Sequence, residues 1–227
     1  MSKNLLLIAL FLFSCSFVVL YGQSEMTVEE RNERIRQRWN RSLVNDPNYK
    51  FNKEANELLV QTINSIPQGK ALCIAMGQGR NALYLARNGW DVAGFDLADE
   101  AIAFADKRAE AEGVDLETHV ISANDFDYGT NKYDLITHIY AGCLYFDDIT
   151  NKIHEALKPG GLLVFEFFHR EAGIGMDRPN FGCEANAILK KVLDQGGFEI
   201  VLYEEKEGRA DYGLDQNKLV YMVASKK

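Results

Sequence analysis

The chain has 227 residues, 47% of them hydrophobic, which suits one folded domain with a full apolar core. It carries 33 acidic and 25 basic residues, a net charge of −8, and no run of Lys and Arg interrupts the region expected to fold. This balance argues against nucleic acid as a partner, because nucleic-acid-binding domains concentrate positive charge on one face.

Residues 1–22 are set apart from the folded domain as a signal peptide or a membrane anchor. A basic Lys3 precedes an uncharged run that reaches Gln23, which is the outline of an export signal. The letters LFSC ending at Cys15 also resemble a lipoprotein cleavage box. The apolar part, 5–20, is short against the roughly 20 residues that span a bilayer. All three interpretations place the domain outside the cytosol. A domain that used a cofactor made in the cytosol would instead be expected in the cytoplasm. The sequence therefore leaves the localisation open.

Residues 23–51 are predicted to form a charged helical extension that lies over the domain. Thr27 and Glu30 have the spacing of a capping box. A second helix should begin near Asn52 and end before Pro67, because four apolar residues recur there on one helical face.

From residue 70 onward, short apolar runs alternate with helical patterns, which indicates an α/β fold with a mostly parallel sheet. The predicted strands are 71–74, 92–95, 119–122, 133–139 and 162–168, and the predicted helices are 81–88, 100–112, 149–157 and 184–194. The last two strands, within 196–205 and 218–227, should pair as an antiparallel hairpin because no helix fits between them. Three cysteines follow the leader without metal spacing, so we expect neither a metal site nor a disulfide.

A glycine turn after the first strand is the strongest functional signal. The letters GQGRNA, from Gly77 to Ala82, fit the G-x-G-x-x-G/A pattern between a strand and a helix, where backbone N–H groups meet a nucleotide-like ligand. Asp96 ends the second strand, 17 residues after Gly79, where an acid can accept both hydroxyls of an adenosine ribose. The turn therefore predicts an adenosine-type cofactor without separating nicotinamide from S-adenosylmethionine.

Longer stretches resemble the class I S-adenosylmethionine-dependent methyltransferases, in the small-molecule branch with the tellurite-resistance and thiopurine types. AMGQGRNALYLARNGWDVAGFDLADEAIAFA resembles the first two motifs of that family, NKYDLITHIYAG its fourth-strand motif, and HEALKPGGLLVFEFF the following helix, turn and fifth strand. The resemblance covers residues 52–227 and implies one Rossmann-like domain. It implies a seven-stranded sheet of order 3-2-1-4-5-7-6, the last strand antiparallel, with helices on both faces. It also implies S-adenosyl-L-methionine as cofactor and in-line methyl transfer to a small-molecule acceptor.

The resemblance carries the cofactor site onto particular residues. The loop that holds the methionine end falls on Ala75, Met76, Gly77 and Gly79, and Arg80 follows it as a further cofactor-binding residue. The acid that binds the ribose is Asp96, with Leu97 beside the adenine, and the adenine-edge motif falls on Asn124 and Asp125. Two positions depart from the family pattern: Cys73 stands where an acid is usual, and Ala75 where a glycine is usual. The alanine leads us to expect that this backbone position needs no positive φ.

Methyl transfer from a sulfonium needs mainly orientation and desolvation, so the catalytic residues stay unknown at this stage. Weak candidates for taking a proton from the acceptor are His138, Tyr140, Glu166 and His169. The segment 169–186 is expected to be the acceptor-side loop, since it follows the fifth strand. The alternative function is an exported non-catalytic binding module with a methyltransferase-like fold, and a nicotinamide oxidoreductase is the third possibility.

Overall fold

The computed structural model describes residues 26–143 and 149–227, so the leader proposed for 1–22 lies outside the described residues. Within these two ranges no helix is long and apolar enough to cross a membrane. The extension begins with α1 (Val28–Asn40), whose capping box between Thr27 and Glu30 forms as predicted. A π-helical turn (Arg41–Asn45) follows, and then α2 (Glu57–Ile63).

The seven strands form one sheet in the order β3-β2-β1-β4-β5-β7-β6, which confirms the predicted fold. All neighbours are parallel except β7, which is antiparallel to both β5 and β6. The strands are β1 (Lys70–Ile74), β2 (Asp91–Asp96), β3 (Glu117–Val120), β4 (Tyr133–Ile139), β5 (Leu157–Phe168), β6 (Phe198–Arg209) and β7 (Gln216–Lys226). The central strands are buried on both faces, as their nearly unbroken apolar sequences require.

The remaining helices are α3 (Arg80–Arg87), α4 (Asp99–Glu112), α5 (Ile149–Ala156), α6 (Arg170–Gly175) and α7 (Ala187–Gln195). Two of the differences from the sequence prediction concern residues near the site. The expected loop 169–186 contains α6, and α2 is capped by Asn56 instead of Asn52. Asn52 instead binds Asp211: its backbone N–H donates to the Asp211 carbonyl at 2.6 Å, and its side-chain amide donates to Asp211 Oδ1 at 2.8 Å.

A disulfide joins Cys143 to Cys183, with their Cα atoms 5.6 Å apart, so the expectation of unpaired cysteines was wrong for these two. Cys143 follows β4 and Cys183 follows α6, and they are 40 residues apart in sequence. The parallel pairing of β4 with β5 brings the segments after their carboxyl ends together. Cys73 remains a free, buried thiol within β1.

Candidate cofactor and acceptor site

The turn between β1 and α3 passes through three left-handed residues. Ala75, Gly77 and Gly79 have φ values of 50°, 53° and 74°. The expectation that Ala75 avoids a positive φ was therefore wrong: the turn imposes this conformation although alanine has a Cβ atom. Gly79 is the N-cap of α3, so the first N–H groups of that helix point towards the carboxyl edge of the sheet.

Asp96 connects this turn to the end of β2. Its Oδ2 accepts a hydrogen bond from the backbone N–H of Gly77 at 2.9 Å, and its Oδ1 accepts one from the N–H of Ala98 at 2.8 Å. Burial raises the pKa of the carboxyl group, and these backbone donors partly offset the effect. A carboxylate has about four acceptor positions, so each oxygen keeps capacity for a further donor such as a hydroxyl.

The predicted adenine-side residues lie at the carboxyl ends of β2 and β3. Leu97 is half-buried directly after Asp96. Asn124 and Asp125 lie in an exposed turn after β3, in which the Ser122 hydroxyl donates to Asp125 Oδ2 at 2.6 Å. Adenine contacts by these residues remain a prediction.

The N-terminal extension covers the glycine turn. The Gln78 amide donates to the carbonyl of Leu43 at 2.7 Å, and a Cβ atom placed on Gly77 would lie 3.0 Å from Leu43 Cδ1. Asn40 donates to Asp99 Oδ1 at 2.7 Å, which fastens the end of α1 to the start of α4. The extension therefore lies on the cofactor edge of the sheet.

Tyr212, in the loop between β6 and β7, fills the space beside the turn. Its ring contacts the rings of Trp39, Tyr49, Phe51 and Tyr140, with centroids 5.2–6.3 Å apart. The cavity that remains between β1, β4 and this ring has a volume of about 10 Å³, room for one water molecule. Its lining consists of Cys73, Ile74, Ala75, Met76, Arg80, Asn81, Thr137, Ile139 and Tyr212.

Arg80 forms a buried ion pair with Asp211. Arg80 Nη2 lies 2.6 Å from Asp211 Oδ2, and the two side chains are only 9% and 8% exposed. Asn56 donates to the same carboxylate oxygen at 2.8 Å, and the Tyr140 hydroxyl accepts from the Asp211 backbone N–H at 3.0 Å. Sequence reasoning missed Asn56 and Asp211, because they join Arg80 only through the fold.

Of the four catalytic candidates, Tyr140 and Glu166 adjoin this polar network. Glu166 is 3% exposed, and burial raises its pKa to about 7, with a partial offset from the Asn56 amide and the Tyr140 hydroxyl. Burial likewise raises the pKa of Tyr140 far above its ordinary value, so its hydroxyl stays protonated.

The two histidine candidates lie elsewhere. His138 stacks on Phe165 with ring centroids 5.4 Å apart, and burial lowers its pKa to about 4, so the ring is neutral. Its strand neighbours Thr137 and Ile139 line the small cavity, so alternation places His138 on the opposite face. His169 is buried and caps α6 by accepting from the N–H of Glu171 at 3.1 Å.

A larger cavity of about 410 Å³ lies between α2 and the β5-β7-β6 part of the sheet. Glu166 of β5 and Asp211 of the loop between β6 and β7 both line it. Because Arg80 lines the small cavity and Asp211 lines the large one, their ion pair separates the two.

Comparison with known proteins supports the fold. A methyltransferase domain model matches residues 71–161. An uncharacterised methyltransferase of Synechocystis is 26% identical over 162 residues, covering 64% of this chain and 74% of that protein. The probable S-adenosyl-L-methionine-dependent methyltransferase TehB of Haemophilus influenzae is 35% identical over 78 residues, covering 34% of this chain and 27% of its own length. The crystal structure of Haemophilus influenzae TehB superimposes with a TM-score of 0.63 at 24% identity, covering 74% and 61% of the two chains.

The fold and the glycine turn are those of class I S-adenosylmethionine-dependent methyltransferases. Residues 71–161 match a methyltransferase domain, and the similarity to S-adenosylmethionine-dependent methyltransferases implies S-adenosyl-L-methionine as the cofactor. The residues present fit the adenosine part of that cofactor, since Asp96 has acceptor capacity and Gly77 and Gly79 leave no side chain in the turn. Beside Ala75 and Met76, the residues matched to the methionine end, the remaining cavity is only about 10 Å³, so this conformation is closed there.

Proposed function

We propose that the protein transfers a methyl group from S-adenosyl-L-methionine to a small-molecule acceptor held in the large cavity. The observation that carries the proposal is the ion pair between Arg80 and Asp211, since it belongs to the walls of both cavities. A donor on the turn side and an acceptor on the α2 side would thus lie on either side of this ion pair, which must part to let the reacting atoms come within about 3 to 3.5 Å of each other.

The chain's own residues would hold the cofactor at three points. Asp96 would accept hydrogen bonds from the ribose hydroxyls, and the backbone from Ala75 to Gly79 would hold the methionine end. Leu97, with Asn124 and Asp125, would lie beside the adenine. The cofactor supplies a methyl group on a sulfonium centre, which leaves as a neutral thioether, so the protein's contribution is orientation and exclusion of water.

Closure by the extension supports water exclusion. Leu43 packs on Gly77, and Tyr212 closes the methionine end, so the cofactor would enter only when these side chains withdraw. Return of the same side chains over the bound cofactor would exclude water from the reacting groups.

Calorimetric titration of S-adenosyl-L-methionine into the full chain, purified in mild detergent, tests the proposal. We expect micromolar binding that weakens about 100-fold in Asp96→Ala, because each hydroxyl bond to a charged acceptor contributes about 1.5 kcal/mol or more. Asp115→Ala is the matched control, an exposed aspartate between α4 and β3, and should leave the affinity within about twofold. Failure of the unaltered protein to bind would overturn the proposal and leave the non-catalytic module.

A further inference from the structure

The floor of the large cavity is a row of three residues across neighbouring strands. Glu166 of β5 pairs directly with Tyr221 of β7, which pairs with Glu204 of β6. Directly paired residues point to the same face of a sheet, so all three side chains face α2. Gly208 at the end of β6 leaves room for the Tyr221 hydroxyl, because a Cβ atom there would lie 1.9 Å from it. The floor thus presents a carboxyl group beside an aromatic ring.

The charged residues of the cavity lining are mostly acidic. It contains five acidic residues and two basic ones: Glu57, Glu166, Glu204, Glu207 and Asp211 against Lys206 and Arg209. Each basic side chain already has a partner. The Lys206 ammonium lies 2.5 Å from Glu204, and Arg209 is exposed, with its Nε donating to the Leu214 carbonyl at 3.3 Å. The remaining acidic groups exceed the cations available to them.

Glu166 is the most deeply buried charged group in this lining. In residues 26–143 and 149–227, no Lys, Arg or His side chain lies within 4.0 Å of its carboxylate; Asn56 and Tyr140 are its hydrogen-bond partners, and the paired charges of Asp211 and Arg80 act on it from further away. Burial raises its pKa to about 7. A buried carboxylate becomes favourable when a cation pairs with it, so a ligand that brings positive charge would be stabilised there.

The Tyr221 ring offers a second contact for a cation. Its face already attracts the Lys206 ammonium, whose Nζ lies 5.3 Å from the ring centroid. Ammonium groups are attracted to aromatic faces, and more strongly where water is excluded. A second ammonium between Tyr221 and Glu166 would meet a carboxylate on one side and a ring on the other.

We infer that the large cavity binds an organic cation, a protonated alkyl amine whose ammonium group lies against Glu166 and the Tyr221 ring. This inference rests on the proposed function, since it names the acceptor class for the same site. The volume of about 410 Å³ admits a small molecule, and the exposed carboxylates of Glu57 and Glu207 in the same lining suit a second ammonium. A diamine therefore matches the charge of the lining.

Glu166 also gives this acceptor a chemical step. An ammonium nitrogen has no free electron pair, so one N–H proton must leave before it reacts. Glu166 accepts that proton, and the electron pair left on nitrogen forms the new bond to the methyl carbon while the carbon–sulfur pair stays with sulfur. The product is a methylated ammonium of the same charge, and Glu166 releases the proton it accepted to water and returns to the carboxylate.

The test compares three ligands of equal length and different charge. We would titrate 1,5-diaminopentane, the neutral 1,5-pentanediol and the anionic glutarate into the full chain at pH 8, with calorimetric detection. We expect binding of the diamine alone, weakened about tenfold or more in Glu166→Gln, because the variant keeps the shape and loses the charge. Glu207→Gln, at the exposed rim, should weaken binding about twofold to threefold. Glu110→Gln, exposed on α4, is the control and should not change it.

The outcomes separate this inference from the proposed function. Binding of S-adenosyl-L-methionine without binding of the diamine, or equal binding of the diol, would overturn the amine class and leave methyl transfer standing. Binding of the diamine without the cofactor would keep the cation site and overturn the enzyme. Near-ultraviolet circular dichroism of Glu166→Gln reports whether that variant is folded. If it is not, the response of Glu207→Gln decides, and an unchanged affinity there would overturn the inference.

Discussion

The two cavities beside the sheet differ in how they are built. The small one, at the ends of β1 and β4, lies against a five-residue backbone turn that has three left-handed residues and whose Gly77 is tied to Asp96. The large one is shaped by side chains of α2, β5, β6 and β7, and its charge comes from acids far apart in sequence. Tyr212 closes the small cavity, whereas the large cavity has a volume of about 410 Å³.

This difference indicates a division of roles. A turn made from backbone is insensitive to most substitutions and suits a cofactor that does not change. A cavity made from side chains can acquire a new acceptor by substitution at its lining while the sheet stays intact. The ion pair between Arg80 and Asp211 lies where the two meet, and it fixes the loop that carries Tyr212.

The disulfide should have a large effect on stability and little effect on either cavity. Cys143 and Cys183 close a loop across 40 residues, and neither lines a cavity. Replacing both with serine, or adding reductant, should lower the free energy of unfolding by about 2 to 4 kcal/mol, as measured by urea denaturation. Affinities for S-adenosyl-L-methionine and diaminopentane should stay within about twofold under conditions where the protein is folded. Reductant should not affect the double variant, and an unchanged midpoint for the unaltered protein would contradict the bridge.

Glu166 should make the large cavity a source of pH-dependent instability. The pKa of an ordinary glutamate is 4.5, and burial raises that of Glu166 to about 7. Between pH 4.5 and 7 the folded state therefore binds more protons than the unfolded chain. The free energy of unfolding should therefore fall as pH rises from 5 to 8, by about 3 kcal/mol at 1.36 kcal/mol per pH unit. Glu166→Gln should abolish this part of the slope and be the more stable protein at pH 8.

Other charged groups face Glu166, so the comparison uses a difference between variants. Asp211 and Arg80 are paired, Tyr140 and Tyr221 stay protonated in this range, and Glu57, Glu204 and Lys206 lie at the cavity lining. Urea denaturation of the unaltered protein, Glu166→Gln and the exposed control Glu110→Gln at pH 5, 6, 7 and 8 isolates the Glu166 contribution. Parallel slopes for the first two proteins would show that Glu166 titrates normally.

The sequence predicted the residues of the cofactor side much better than those of the acceptor side, for a physical reason. The glycine turn and Asp96 lie within about twenty residues and follow local backbone rules, so their spacing predicts them. Strand order came from family resemblance and is confirmed. Asp211 and Asn56, by contrast, reach Arg80 from 131 and 24 residues away, and no local pattern marks them. The pairing of Cys143 with Cys183 likewise depends on the topology that brings the segments after β4 and α6 together.

Substitution of Ala75 should change the free energy of unfolding least, and it tests directly the turn that is built from backbone. Its φ of 50° costs a residue with a Cβ atom about 1 to 2 kcal/mol. Glycine removes that strain but adds freedom to the unfolded chain worth about 0.4 to 1 kcal/mol. Ala75→Gly should therefore raise the free energy of unfolding by about 0.5 to 1 kcal/mol.

Gly113 provides the matched reverse of that substitution. It ends α4 with a φ of 68°, and a Cβ atom there would meet nothing within 4 Å, so Gly113→Ala introduces the same strain without a clash. It should lower the free energy of unfolding by about 0.5 to 1 kcal/mol in the same urea experiment. If Gly113→Ala is destabilising while Ala75→Gly is neutral or destabilising, the turn gains from the alanine methyl group what it loses in backbone strain. Opposite and equal shifts would show that alanine in this turn is tolerated because the surrounding sheet imposes the conformation on it.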